Sequence, residues 1–234
     1  MAATTNQNRK RRSDHGTVQM TPRDLVILRW IGDQYAIRLD HLANLAGRES
    51  EADLKIEGEL ARPSVQRLYN RWLKAGWIEK RKLFAADPQW VWLTKAGLKD
   101  VGLEYAYRVP SIARLAHIYA VNAVRLAIEA KLKGQAHWCS DRQVNLERKE
   151  RGSRHVVDAE VFYPNKQIRV AIEVELTQKT KKSLEAVLAE LQREYTAVWY
   201  FIAEECYAPV AQVIEAQPSS KKTFAIYHLR DYGG

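Results

Sequence analysis

Cysteine is nearly missing from this 234-residue chain: only Cys139 and Cys206 occur. Two thiols so far apart exclude a disulfide framework and a cysteine-rich zinc cluster, so a reducing compartment is expected. No run approaches the roughly 18 consecutive apolar residues of a membrane helix. The first 20 residues lack the apolar segment of a secretory signal. Heptads of a coiled coil are also wanting, so no dimerisation signature is written in the chain. Acidic residues fall short of basic ones, leaving a formal net charge of +9. That excess suits a polyanionic partner such as nucleic acid, although ordinary soluble proteins carry it too.

What is present is core material. Apolar residues make up 46%, with seven Trp and eleven Tyr, enough for one large domain or two modest ones. Residues 1–20 are polar, with a basic block at Arg9, Lys10, Arg11 and Arg12, and read as a disordered tail able to add weak phosphate contacts. A first helix is then punctuated by Thr21 as N-cap, Pro22 at its first position and Asp24 at N3, with Leu25, Leu28 and Ile31 on its buried face. Asp40 is expected to cap a second helix carrying Leu42, Leu45 and Ala46, with Gly47 stopping it. Residues 48–61 read as a loop or ragged helix.

The third helix, from a Ser64 cap to Gly76, puts Val65, Leu68, Tyr69, Trp72 and Leu73 on one stripe. Its other face holds Gln66, Arg67, Asn70, Arg71 and Lys74, with Arg62 just before it. These side-chain types read base edges and grip phosphates, although such a face is also what any solvated helix shows. A hairpin follows. Trp77–Phe84 carries Lys80, Arg81 and Lys82, residues 85–89 turn, and Trp90–Leu93 returns. Thr94 caps a short helix containing Gly97. Three helices and a basic hairpin within about 75 residues are the order of a winged helix-turn-helix, here residues 21–108, with the hairpin as its wing.

The remainder, 109–234, reads as α-β-β-α-β-α-β. A long helix, Ile112–Lys133, is apolar nearly all round; Asn122, Arg125 and Glu129 are exceptions that share one face. Strands His155–Tyr163 and Ile168–Leu176 flank a turn at 164–167. Strand alternation puts Glu173 and Glu175 on one face and Ile172, Val174 and Leu176 on the other. A four-residue loop sets Asp158 opposite Glu173. Three crowded carboxylates repel unless a cation or a proton joins them, and oxygen-rich sites suit Mg²⁺ or Mn²⁺. Such an ion would activate water at a phosphate. The same residues could equally form a salt-bridged patch with Arg154, Lys166, Arg169 and the lysines after Thr177. Thr177 is expected to cap a helix with Leu184, Val187, Leu188 and Leu191 inside and Lys179, Lys181 and Lys182 in its first turns. Strand Ala197–Ala203, helix Pro209–Glu215 and strand Thr223–Leu229 close the chain. His117 and His155 are expected to be structural, His155 lying near Asp158.

This order resembles the core of the PD-(D/E)xK nuclease superfamily. The resemblance matches Glu129 to the first-helix Glu, Asp158 to the Asp and Glu173-Val-Glu175 to the (D/E)-x-K motif. It implies a metal held by Glu129, Asp158, Glu173 and Glu175, with Lys179 as a displaced lysine. The sequence departs from the pattern in having Glu175 where Lys stands and Val157 where Pro precedes the Asp.

Residues 21 to about 230 also resemble the replication-relaxation family of actinobacterial plasmids and integrative elements. The carrying segments are LAHIYAVNAVRLAIEA (115–130), HVVDAEV (155–161), AIEVELTQKT (171–180) and VWYFIA (198–203). The resemblance implies a bacterial, cytoplasmic accessory protein of replication or mobilisation. It would bind double-stranded DNA near an origin, beside replication or mobilisation proteins. Two alternatives stay open: a Mg²⁺-dependent endonuclease, and a winged-helix transcription regulator whose second domain dimerises. Two-fold DNA sites and nuclease folds both favour a homodimer.

Overall fold

Helix α1 (Pro22–Asp33) starts where a capping box closes: the Thr21 hydroxyl accepts the Asp24 N–H, and the Asp24 carboxylate accepts the Thr21 N–H. The computed structural model describes residues 18–50, 55–56, 58–83, 85–148, 156–216 and 223–233. The basic block at residues 9–12, Arg154 and His155 lie outside them. The buried face of α1 is Asp24, Ile27, Leu28 and Ile31, one step round from the expected stripe; Leu25 is only partly buried. Strand β1 (Ile37–Arg38) leads directly into α2 (Leu39–Arg48). Arg38, not Asp40, occupies the N-cap, and Asp40 sits in the first turn bonded to the Arg38 guanidinium.

Gly47 does not stop α2. It lies inside the helix, where a Cβ would meet the backbone of Gly58, Glu59 and Leu60. That close approach admits a small hairpin, β2 (Lys55–Ile56) and β3 (Glu59–Leu60), in the stretch expected to be irregular. Helix α3 (Arg62–Lys74) begins one turn earlier than a Ser64 cap would give, with Ala61 at the N-cap and Pro63 in its first turn. Gly76, at φ +75°, turns the chain into β4 (Ile78–Arg81), which pairs with β5 (Trp90–Leu93). β1 completes a three-stranded antiparallel sheet in the order β1-β5-β4. The Thr94 hydroxyl caps α4 (Lys95–Asp100) at the Gly97 N–H.

The second half is built on a five-stranded sheet. Helix α5 (Ile112–Leu132) precedes β6 (His137–Ser140) and α6 (Asp141–Arg148), the first too short and the second too charged to show a pattern. β7 (Ala159–Tyr163), β8 (Ile168–Glu175), α7 (Lys181–Glu194), β9 (Val198–Ile202), α8 (Glu204–Glu215) and β10 (Phe224–His228) follow, then a 3-10 turn at Leu229–Tyr232. The sheet order is β10-β9-β8-β7-β6. β6, β7 and β8 form an antiparallel meander, and β8, β9 and β10 are parallel. Helix α7 is capped by Thr180 rather than Thr177, and α8 starts at Glu204 and carries Pro209 within it. Together the chain is a mixed α+β fold with helices on both faces of the larger sheet. Ile172 and Val174 pack toward Val121, Val124 and Ile128 of α5, whereas Ala171, Val198 and Tyr200 pack toward Leu184 and Leu188 of α7.

Helix α5 is apolar nearly all round because it serves two partners. Its Leu115 and Ile118 cluster with Ala36, Trp90 and Trp92 of the first half. The Asn122 amide donates to the Ala36 carbonyl (2.9 Å), and Tyr119 stacks on His41 with centroids 4.1 Å apart. Glu129 accepts from the Trp30 indole (3.0 Å) and from Arg125 (2.7 Å), with Arg48 at 3.4 Å. No helix among the described residues is long and apolar enough to cross a membrane.

Candidate nucleic-acid interface and carboxylate site

The apolar stripe Val65, Leu68, Tyr69 and Trp72 fixes which way α3 faces, since all four side chains are buried. Arg62, Gln66, Arg67, Asn70 and Lys74 are consequently exposed on the opposite side. No acidic residue occupies the first turn of α3, so the positive end of the helix dipole adds to these cations. Lys80, Arg81 and Lys82 of the hairpin are exposed as well. The Lys80 ammonium lies 4.6 Å from the centre of the Tyr69 ring, which joins the hairpin to α3. The Arg67 guanidinium holds the Ser64 hydroxyl at 2.9 Å, so the residue expected as a cap instead steadies an outward arginine.

Arg71 departs from this set. Its guanidinium pairs with Asp24, a carboxylate with no exposed surface that also accepts the Trp72 indole N–H at 2.8 Å. A buried carboxylate needs its donors, so Arg71 is a brace between α1 and α3 rather than an outward base-reading side chain. The sequence marked Asp24 only as a helix-start residue, and nothing in its spacing announces a partner 47 positions on.

The carboxylates meet at one end of β7 and β8. The expected register holds as far as Ala159 opposite Ile172, but β7 begins there, and Asp158 sits in a bend just before it rather than paired with Glu173. Asp158 donates its N–H to the Ile172 carbonyl (3.1 Å). Its side chain then accepts the Val174 N–H (2.8 Å) on one oxygen and faces His117 Nε2 (2.7 Å) on the other. Glu173 and Glu175 are not surface groups: they are 7% and 4% exposed, because α7 covers the face they share. Glu175 takes the Lys179 ammonium and the Tyr200 hydroxyl (3.2 Å) on one oxygen and the Thr177 N–H (3.4 Å) on the other. Burial pushes the Tyr200 phenol far up, and the charges of Glu175, Glu173 and Asp158 push it further. Burial alone would lower His117, but the hydrogen bond and charge of Asp158 outweigh it and raise the imidazole above its usual range.

Glu175 and Lys179 are therefore brought into contact, and Glu173 and Asp158 lie near enough for their charges to reach Tyr200 with that of Glu175. Glu129 is not part of this group. It lies twelve residues beyond His117 on α5, roughly 18 Å along the axis at 1.5 Å per residue, and it is held by Trp30, Arg125 and Arg48. Glu129 drew the match as the sole carboxylate in α5; the turn of α5 that reaches Asp158 carries His117 instead.

No family model matches this chain, and neither does any curated protein or solved structure.

As a metal centre the residues do not fit. Both oxygens of Asp158 and both of Glu175 already accept protein donors, Lys179 neutralises Glu175, and Glu129 is elsewhere. Among the described residues no three His, Cys, Asp or Glu side chains are grouped as an ion requires. Sequence reasoning also passed over the groups beside His117. Tyr35, Arg114 and Asp141 line a cavity of about 20 Å³ together with Gln34, His117 and Asp158. Tyr35 follows a helix end and Asp141 begins α6, and neither position carries a periodic signal.

Proposed function

We propose that this protein binds double-stranded DNA through a winged helix-turn-helix and acts as an accessory protein in replication or mobilisation of a plasmid or mobile element. One observation carries the reading. Arg62, Gln66, Arg67, Asn70 and Lys74 stand exposed on α3, and this helix is tied through Tyr69 and Lys80 to a hairpin edged with Arg81 and Lys82. Amide and guanidinium side chains on one helix face suit base edges in a major groove, and the flanking lysines and arginines suit the phosphates on either side. Helices α1–α3 followed by the β4–β5 hairpin in a three-stranded sheet support the winged-helix assignment, and the α-β-α-β-β-α-β-α-β order of the second half, which contains the expected α5, β7, β8, α7 and β9, supports a nuclease-like one. In this reading the second unit grips or deforms the bound duplex and its carboxylates are structural. The resemblance of segments 115–130, 155–161, 171–180 and 198–203 to replication-relaxation proteins supplies the cellular setting.

Selection of duplexes from a randomised pool, followed by fluorescence anisotropy of those enriched, tests the proposal. Enrichment of a common sequence, with affinity lost in Arg67→Ala, is the expected result; no enrichment would sink it. Nicking of plasmid that requires Mg²⁺ or Mn²⁺ and vanishes in Asp158→Ala would replace it with the endonuclease reading.

A further inference from the structure

At the end of α1 the backbone takes a turn that costs a side chain, and the sequence puts a tyrosine there. Tyr35 has φ +66°, the left-handed conformation that helix ends normally give to Gly or Asn. The other described non-glycine residues with positive φ, Lys133 and Gln167, end a helix and close a turn. Tyr35 differs in what surrounds it. Its hydroxyl donates to Asp141 Oδ2 at 3.1 Å, and the Arg114 and Arg142 guanidiniums lie 4.9 and 4.5 Å from its ring centre. Arg142 is occupied, donating to the carbonyls of Gly32 (2.8 Å) and Ala106 (2.9 Å), and so fixes the loop that carries Tyr35. Arg114 is half exposed and meets Asp141 only at 3.7 Å, which leaves it able to engage an anion. The cavity they line with His117 and Asp158 holds about one water, so a phosphodiester would meet these groups at its mouth. A bulky residue held in a disfavoured conformation beside a carboxylate and a partly free arginine is the kind of outlier that marks a chemical site.

We infer that Tyr35 is a metal-independent nucleophile toward a DNA phosphodiester, with Asp141 as its base and Arg114 as the phosphate-binding cation. The Tyr35 Oη attacks phosphorus, and the bond from phosphorus to one deoxyribose oxygen breaks. The phenol proton passes to Asp141, and the departing deoxyribose oxygen takes a proton from solvent water. The product is a phosphotyrosyl link with one free DNA end, and the reverse attack of that end reseals the strand. Neither oxidant nor cofactor is consumed. Burial, with the charge of Asp158 behind it, raises the Asp141 carboxyl, which suits a proton acceptor, and burial and Asp141 raise the Tyr35 phenol, so deprotonation needs that base. The inference rests on the DNA-binding reading.

The test uses the full chain, EDTA throughout, and the end-labelled duplexes that the protein itself enriches from a randomised pool. After an SDS quench, label migrating with the protein on a denaturing gel reports the covalent link. Wild type is expected to form it. Tyr35→Phe should abolish it in a protein that still unfolds cooperatively on heating, and Asp141→Asn should reduce it at least tenfold. Enriched duplexes that bind in EDTA without any covalent product would overturn the inference and leave the DNA-binding reading standing, as would a product undiminished in Tyr35→Phe. Failure to enrich any duplex would overturn both.

Discussion

His41 offers a perturbation whose size follows from its surroundings. The ring is buried against Tyr119, its Nδ1 has no hydrogen-bond partner among the described residues, and burial outweighs the neighbouring Asp40 to push its pKa down to about 4. A histidine of ordinary pKa, about 6.5, binds a proton in the unfolded chain well before the folded one does. The folded pKa is depressed, so stability is full above the unfolded pKa and is lost as pH falls from about 6.5 toward 4. Linkage then gives a loss of about 2 kcal/mol between pH 8 and pH 5, approaching about 3 kcal/mol near pH 4. Other groups titrate in that window: Asp33 and Asp141 have raised pKa values and oppose the loss. Comparison with His41→Phe cancels them, since the substitution keeps a ring on Tyr119 and removes the titrating nitrogen. Urea unfolding of both proteins at pH 8 and pH 5 should show the variant gaining about 2 kcal/mol on wild type as the pH drops. An equal pH dependence in the two proteins would refute the reasoning.

Other perturbations separate structural from functional residues. Arg71→Ala should lower stability by about 1–3 kcal/mol in urea unfolding by stripping a buried carboxylate of its cation, whereas Arg67→Ala should leave stability within about 0.5 kcal/mol and weaken DNA binding; the reverse pattern would return Arg71 to the DNA-facing set. Gly97→Ala should cost about 1–3 kcal/mol in thermal or urea unfolding, because a Cβ would press on the Trp77 backbone. Glu129→Gln should loosen the packing of α5 on Trp30 and Arg48, seen as a lower melting temperature, and leave any metal affinity untouched.

How much of this was legible in the sequence depended on range. Local signals read well: the Thr21 cap, the stripe on α3, the Thr94 cap and the β7–β8 register up to Ala159 opposite Ile172 all depend on residues within about 16 positions, whereas the bend that takes Asp158 out of that ladder left no mark. β6 and α6 were missed because four-residue and charged eight-residue elements leave too short a pattern. Long-range partners were invisible. Asp24 with Arg71, Glu129 with Trp30 and Asp158 with His117 are pairings that only tertiary packing creates. The burial of Glu173 and Glu175 was not legible, because alternation alone says which residues share a sheet face and not what covers that face.

The salt dependence of duplex binding tests the central claim most directly. Fluorescence anisotropy on an enriched duplex should show affinity falling about 10³-fold between 50 and 200 mM salt if about six phosphates are neutralised. Replacing Arg62, Lys74 and Lys82 together by Ala should make the slope shallower by about one unit per lost contact. A slope that the triple variant leaves unchanged, or an affinity indifferent to salt, would contradict the assignment of this face to DNA.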